Sequence, residues 1–95
     1  MKNLISVVVP AYNEEKVIEE FYRRTKMVME NLKEYEYEIL FVDDGSTDST
    51  YQKLKSIVND DRRVGVTKLS RNFGHQAAIT AGIDSAGGDA VVVID

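Results

Sequence analysis

The chain has 95 residues, a net charge of −4 and no cysteine. That length suits one small domain, residues 1–95. The acidic balance argues against a nucleic-acid partner, which needs a basic footprint, and the missing cysteines exclude disulfides and thiolate metal sites. With 43% hydrophobic and 29% charged residues, the composition is that of a folded globular protein and suits a cytoplasmic location.

The first apolar run, Leu4 to Val9, is β-branched without polar alternation, the pattern of a strand covered on both faces. It is too short to cross a membrane, and it ends in Pro10, Tyr12 and Asn13 rather than a small-residue cleavage site. A helix is expected from Glu14 to about Lys33. Ile18, Phe21, Thr25, Val28 with Met29, and Leu32 share one face, and Glu14 and Glu15 sit in the first turn, where the helix dipole favours negative charge.

Ile39 to Val42 predicts the second strand, closed by Asp43-Asp44-Gly45. Ser46 is a candidate N-cap for a helix whose stripe is Tyr51, Leu54 and Val58. Val64 to Leu69 predicts a third strand. The loop Ser70 to Phe73 leads to a helix from about Gly74 to Ala86, rich in small residues and ended by Gly87 and Gly88. Ala90 to Ile94 predicts the fourth strand, followed by Asp95. The alternation β-α-β-α-β-α-β means an α/β fold, a parallel sheet with right-handed crossovers and helices on its faces.

In such sheets ligands bind at the carboxyl ends of the strands, and the unusual polar residues of this chain collect there. Asp43 and Asp44 are adjacent acids at a strand end. They suit hydrogen bonds from a nucleobase N–H or ribose hydroxyls, or else a cap on the turn at Gly45. Tyr12 can flank a base and Glu14 can bond a ribose hydroxyl; equally, Pro10 ends the strand, Asn13 caps the helix and Glu14 serves the dipole. Arg71 suits a diphosphate beside a helix N-terminus, or a nearby acid on the surface. Gly74 allows close backbone approach, Gln76 offers hydrogen bonds, and His75, the one histidine, reads more as a surface or packing residue than as a catalyst. Asp95 offers an oxygen ligand to Mg²⁺ or Mn²⁺, or is a frayed terminus.

Three segments, Val7-Val8-Val9-Pro10-Ala11-Tyr12-Asn13-Glu14, Phe41-Val42-Asp43-Asp44-Gly45-Ser46-Thr47-Asp48-Ser49-Thr50, and Gly87-Gly88-Asp89 leading to Val93-Ile94-Asp95, resemble in order and spacing the family-2 glycosyltransferases. Leu69 to Ala78 is similar to the polyprenyl-phosphate branch, the bactoprenol glucosyltransferases and relatives of dolichol-phosphate mannosyltransferase. The resemblance implies the Rossmann-like GT-A fold, of which this chain would be the N-terminal half. It implies an inverting transfer from a nucleotide-diphosphate sugar, a UDP-sugar by the Arg71 to Ala78 loop, to polyprenyl phosphate at the cytoplasmic face of a membrane.

By the same resemblance Pro10, Ala11, Tyr12, Glu14 and Asp44 line the nucleoside pocket with Asp43 beside it, Arg71 and Gln76 lie near the donor, and Asp95 is the first acid of a motif that binds Mg²⁺ or Mn²⁺. The second acid and the acceptor half are missing, so weak nucleotide binding without turnover is expected of the chain alone. The fourth strand is expected to form an apolar edge open to a second copy. A phosphorylatable receiver domain also pairs acids at a strand end, but after its first strand, whereas Asp43-Asp44 follow the second. A nicotinamide-dinucleotide domain needs a glycine-rich first turn, replaced here by Pro10 to Glu14. A purely structural interaction module leaves the rim cluster unexplained.

Overall fold

The computed structural model describes residues 2–94. Seven elements alternate along it: β1 (Asn3–Ala11), α1 (Ile18–Asn31), β2 (Tyr35–Asp43), α2 (Thr50–Asp60), β3 (Val64–Lys68), α3 (His75–Ser85) and β4 (Ala90–Val93). All strand pairs are parallel and the sheet order is β3-β2-β1-β4. The chain thus winds outward from β1 through β2 to β3, then crosses back to place β4 on the other side of β1.

Each strand supplies two faces, because successive side chains point to opposite sides. Val7, Val9, Ile39 and Phe41 form one buried cluster with Ile18 and Met29 of α1 and Leu54 and Ile57 of α2. Full burial of a side chain such as Phe41 or Leu54 stabilises by about 1.5–3 kcal/mol. On the opposite face, α3 lies so close to the sheet that a Cβ on Gly82 would collide with Val8. Ala78 is completely buried there too. The small residues of α3 are therefore a packing requirement.

Several boundaries differ from the sequence reading. α1 begins at Ile18 rather than Glu14, because Glu14 starts a turn in which its carbonyl accepts the Val17 and Ile18 amides. Val28 of α1 and Leu32, which follows it as the C-cap, were expected on the apolar face and are exposed, at 60% and 41%. α3 ends at Ser85 on an extended Ala86 rather than on a glycine cap. Gly88 serves a different need: a Cβ there would lie 2.5 Å from the Ser6 hydroxyl. Ser6 is fully buried and donates to Glu38 at 2.5 Å, while the Gly87 and Gly88 amides donate to Glu38 and Ser6 respectively. This clasp fixes where β4 enters beside β1. β4 itself is an exposed edge, with Val91, Val92 and Val93 each 39–46% accessible.

Candidate nucleotide cleft

Loops after β1 and β3 leave towards opposite faces of the sheet, and a crevice opens between them at the carboxyl ends of the strands. Its volume is about 410 Å³, and it is lined by Pro10, Ala11, Tyr12, Glu14, Asp44, Asn72, Gly74 and His75. Five of the eight residues proposed from sequence as substrate-binding are in this lining.

Asp44 forms the floor. It is buried, and its carboxylate accepts the Phe73 amide at 2.9 Å and the Gly74 amide at 3.2 Å. A carboxylate has about four acceptor positions, so two bonds leave capacity for a ligand N–H or O–H. Gly74, at φ 104°, takes a backbone conformation that side-chain-bearing residues avoid, and α3 starts after it with no side-chain cap. First-turn amides at such an end suit an anionic group.

The Tyr12–Glu14 wall is held from behind by the β2–α2 loop. Asn13, between them, is the one non-glycine residue at positive φ among the described residues, at 51°. Its side-chain oxygen accepts the Thr47 amide at 2.8 Å, and its own amide donates to the Ser46 hydroxyl at 2.9 Å. Neither Asn13 nor Ser46 caps a helix, as the sequence suggested; they bridge two loops. The Thr50 hydroxyl accepts the Glu14 amide at 2.8 Å and donates to Asp48 at 2.6 Å. Burial pushes the Asp48 carboxyl up, but bonds from the Thr50 hydroxyl and amide and from the Glu15 amide outweigh it and hold the group below its ordinary value.

The other three proposed residues lie elsewhere. Asp43 continues the face of Tyr37, Ile39 and Phe41 towards α1 and α2 and is fully buried. Among the described residues neither of its carboxylate oxygens has a hydrogen-bond partner. The exposed Arg71 stacks its guanidinium 4.5 Å from the Phe73 ring centre rather than lining the cleft. Gln76 is exposed on α3, outside the lining. Asp95 lies outside the described residues, and among these no group of three His, Asp or Glu side chains gathers that could hold a metal ion by itself. Asn72 and His75, not among the residues proposed from sequence as substrate-binding, also line the crevice, because the β3–α3 loop lies over Asp44.

A parallel sheet wound in this order, with its cleft at the strand ends, is a Rossmann-like α/β architecture. The family described as "Glycosyl transferase family 2" matches residues 6–95, and the chain belongs to it. It is 57% identical over 90 residues to the "Uncharacterized glycosyltransferase YkcC" of Bacillus subtilis (strain 168), covering 95% of this chain and 28% of that protein. It is 45% identical over 91 residues to the bactoprenol glucosyl transferase of Shigella phage SfV, covering 96% of this chain and 29% of that one. The crystal structure of S. aureus TarS 1-349 in complex with UDP superposes with a TM-score of 0.78 and 31% identity, over 100% of this chain and 27% of that one. The chain thus spans less than a third of the length of these proteins, and its fold matches the corresponding part of TarS.

Proposed function

We propose that the cleft binds the nucleoside diphosphate part of a sugar-nucleotide donor, and that the chain is the donor-binding part of an enzyme transferring the sugar to polyprenyl phosphate. One observation carries the reading: Pro10, Ala11, Tyr12, Glu14 and Asp44, picked out by their place at strand ends, converge on a single crevice beside the start of α3. Uridine is the favoured base, supported by the TarS complex with UDP. The lipid-phosphate acceptor is supported by the bactoprenol glucosyl transferase likeness.

In this reading Tyr12 flanks the base, Asp44 accepts a base N–H, Glu14 accepts from ribose hydroxyls, and the first turn of α3 faces the diphosphate. Arg71, stacked on Phe73 and outside the lining, would have to turn from that ring to serve the diphosphate. An acceptor phosphate oxygen attacks the anomeric carbon in line as the bond to the nucleoside diphosphate breaks, with inversion; an acceptor already anionic at neutral pH needs no strong base. A divalent ion would neutralise charge on the leaving diphosphate. Asp95 as its ligand rests on family membership, and the described residues supply no further set of acids for it.

The chain spans less than a third of the length of its relatives, and the acceptor half is proposed to lie in the part of them that it does not span, so the chain alone is proposed to bind nucleotide weakly without turnover. Association of the intact protein with the cytoplasmic face of a membrane is part of the same proposal; no helix among the described residues is long and apolar enough to cross a membrane. Titration with UDP and GDP, each with and without Mn²⁺, followed by NMR, tests the reading. Saturable UDP binding that perturbs Tyr12, Asp44 and Gly74 and is lost in Asp44→Ala supports it. No binding of either nucleotide at millimolar concentration removes it for this chain.

A further inference from the structure

The sequence Ser46-Thr47-Asp48-Ser49-Thr50 carries five polar residues, none of which lines the cleft. Their bonds instead run to the loop that does. Ser46 and Thr47 hold Asn13, Thr50 holds the amide of Glu14, and Asp48 accepts the Glu15 amide at 3.4 Å. The Lys53 ammonium, one turn into α2, donates to the Glu15 carbonyl at 2.7 Å. Thr50 is the centre of this set. It is completely buried, and its single hydroxyl serves both loops at once: it donates to Asp48 and accepts from Glu14.

The backbone reason is Asn13. A residue at φ 51° turns the chain sharply between Tyr12 and Glu14, so that both of these neighbours line the cleft. An asparagine tolerates that conformation better than most residues, yet it still needs support from its surroundings. Here the support comes on both sides, through Thr47 and Ser46 before the turn closes and through Thr50 after it.

We propose that Thr50 is a positioning residue: its hydroxyl holds the Tyr12–Glu14 wall of the cleft in place without touching a ligand. This role rests on the nucleotide reading only where ligand affinity is concerned; the wall itself is observable with no nucleotide present. A valine at position 50 keeps the β-branched shape and removes the hydroxyl, leaving the Glu14 amide without its acceptor. A serine keeps the hydroxyl and removes the methyl.

The experiment is residue-resolved amide hydrogen exchange on the 95-residue chain, free and with UDP, for Thr50→Val, Thr50→Ala, Thr50→Ser and Asn13→Gly. In Thr50→Val the Glu14 amide is expected to exchange roughly tenfold faster or more while core amides of β1 and β2 keep their protection, as for a local opening. UDP affinity falls about tenfold in step, and Thr50→Ser restores both. Asn13→Gly keeps the turn conformation but loses the carboxamide bond. It is expected to loosen the same wall from its other side while leaving the Thr50–Glu14 bond in place, and Thr50→Ala decides the role of Thr50 if Thr50→Val does not fold. An unchanged Glu14 amide in Thr50→Val, or in Thr50→Ala where that variant decides, overturns the proposal. So does a serine variant that behaves like valine, or a loosened wall with undiminished UDP affinity. If the parent chain binds no UDP, the donor reading falls, and the Glu14 amide alone decides the role of Thr50.

Discussion

Gly45 lies against the main chain of Arg71 so closely that no side chain fits between them; a Cβ on Gly45 would also come within 2.5 Å of the Asn72 nitrogen. The contact presses the β2–α2 loop onto the β3–α3 loop, directly beside the bonds from Phe73 and Gly74 to Asp44. Gly45 is at φ 75°, so a substitution there also meets the left-handed backbone penalty. Gly45→Ala is expected to destabilise the chain by about 2 kcal/mol or more, from that penalty and the overpacking together. Urea denaturation measures it, and an unaltered midpoint would show that the two loops do not meet in solution.

Asp44→Asn keeps the shape of the floor but replaces one acceptor oxygen with a donor facing the Phe73 and Gly74 amides. The expected cost is about 1–3 kcal/mol, that of leaving a buried amide unsatisfied. Chemical shifts at Phe73 and Gly74 should move in the nucleotide-free protein, and UDP affinity should fall. Shifts confined to Asp44 itself would mean that these bonds are absent.

Asp43 gives the opposite expectation. A buried carboxylate with neither oxygen bonded among the described residues is a desolvation cost without compensation. Asp43→Val suits a strand and fits the apolar cluster, and it is expected to raise stability by about 1–3 kcal/mol. UDP affinity should change less than in Asp44→Asn. A stability loss would reveal a role for Asp43 in holding the β2 end.

Behind the sheet, Tyr22 donates to Asp61 at 2.5 Å and Tyr37 donates to Glu30 at 3.2 Å. Burial, then the Glu30 charge, push the Tyr37 hydroxyl from its ordinary 10.0 up to about 12; burial and Asp61 push Tyr22 up as well. A raised folded-state value means that the unfolded chain loses the proton first, so this stabilisation is complete below pH 10 and lost as pH rises through about 12. Asp61 runs the other way. Burial raises it, but bonds from Tyr22 and the Arg63 amide and the Lys26 charge prevail and lower it, so its contribution fades as pH falls below 3.8. Tyr22→Phe should flatten both limbs of a thermal-melting profile against pH. Identical limbs in parent and variant would show that Tyr22 and Asp61 are not paired.

The β4 edge is proposed to pair with a second copy, because Val91, Val92 and Val93 are accessible on a strand paired only on its β1 side. Sedimentation should show mass rising with concentration, and Val92→Lys should abolish the rise. A monomer at every concentration removes this pairing.

Much of the fold was legible because apolar runs and turn residues alternate at spacings that only a wound parallel sheet accommodates. The helix boundary at α1 was not, because Asn13 and Glu14 look locally like a cap and a first turn. Their bonding partners, Ser46, Thr47 and Thr50, are more than thirty positions away. Val28 and Leu32 had helical spacing but no neighbouring element to cover them, a fact periodicity does not contain.

By itself the sequence determined the α/β class and the strand ends as the meeting place of its unusual polar residues, which follow from local pattern and from the rule that winding brings carboxyl ends together. Pro10, Ala11, Tyr12, Glu14 and Asp44 as a nucleoside pocket came from the family resemblance, and the structure gathers those five along one crevice. Only the tertiary structure decided that Asp44 carries the β3–α3 loop, that Asp43 faces the core instead of the cleft, and that Arg71 lies on Phe73. Two adjacent strand residues must point to opposite faces, and which face meets the cleft depends on where α3 crosses the sheet.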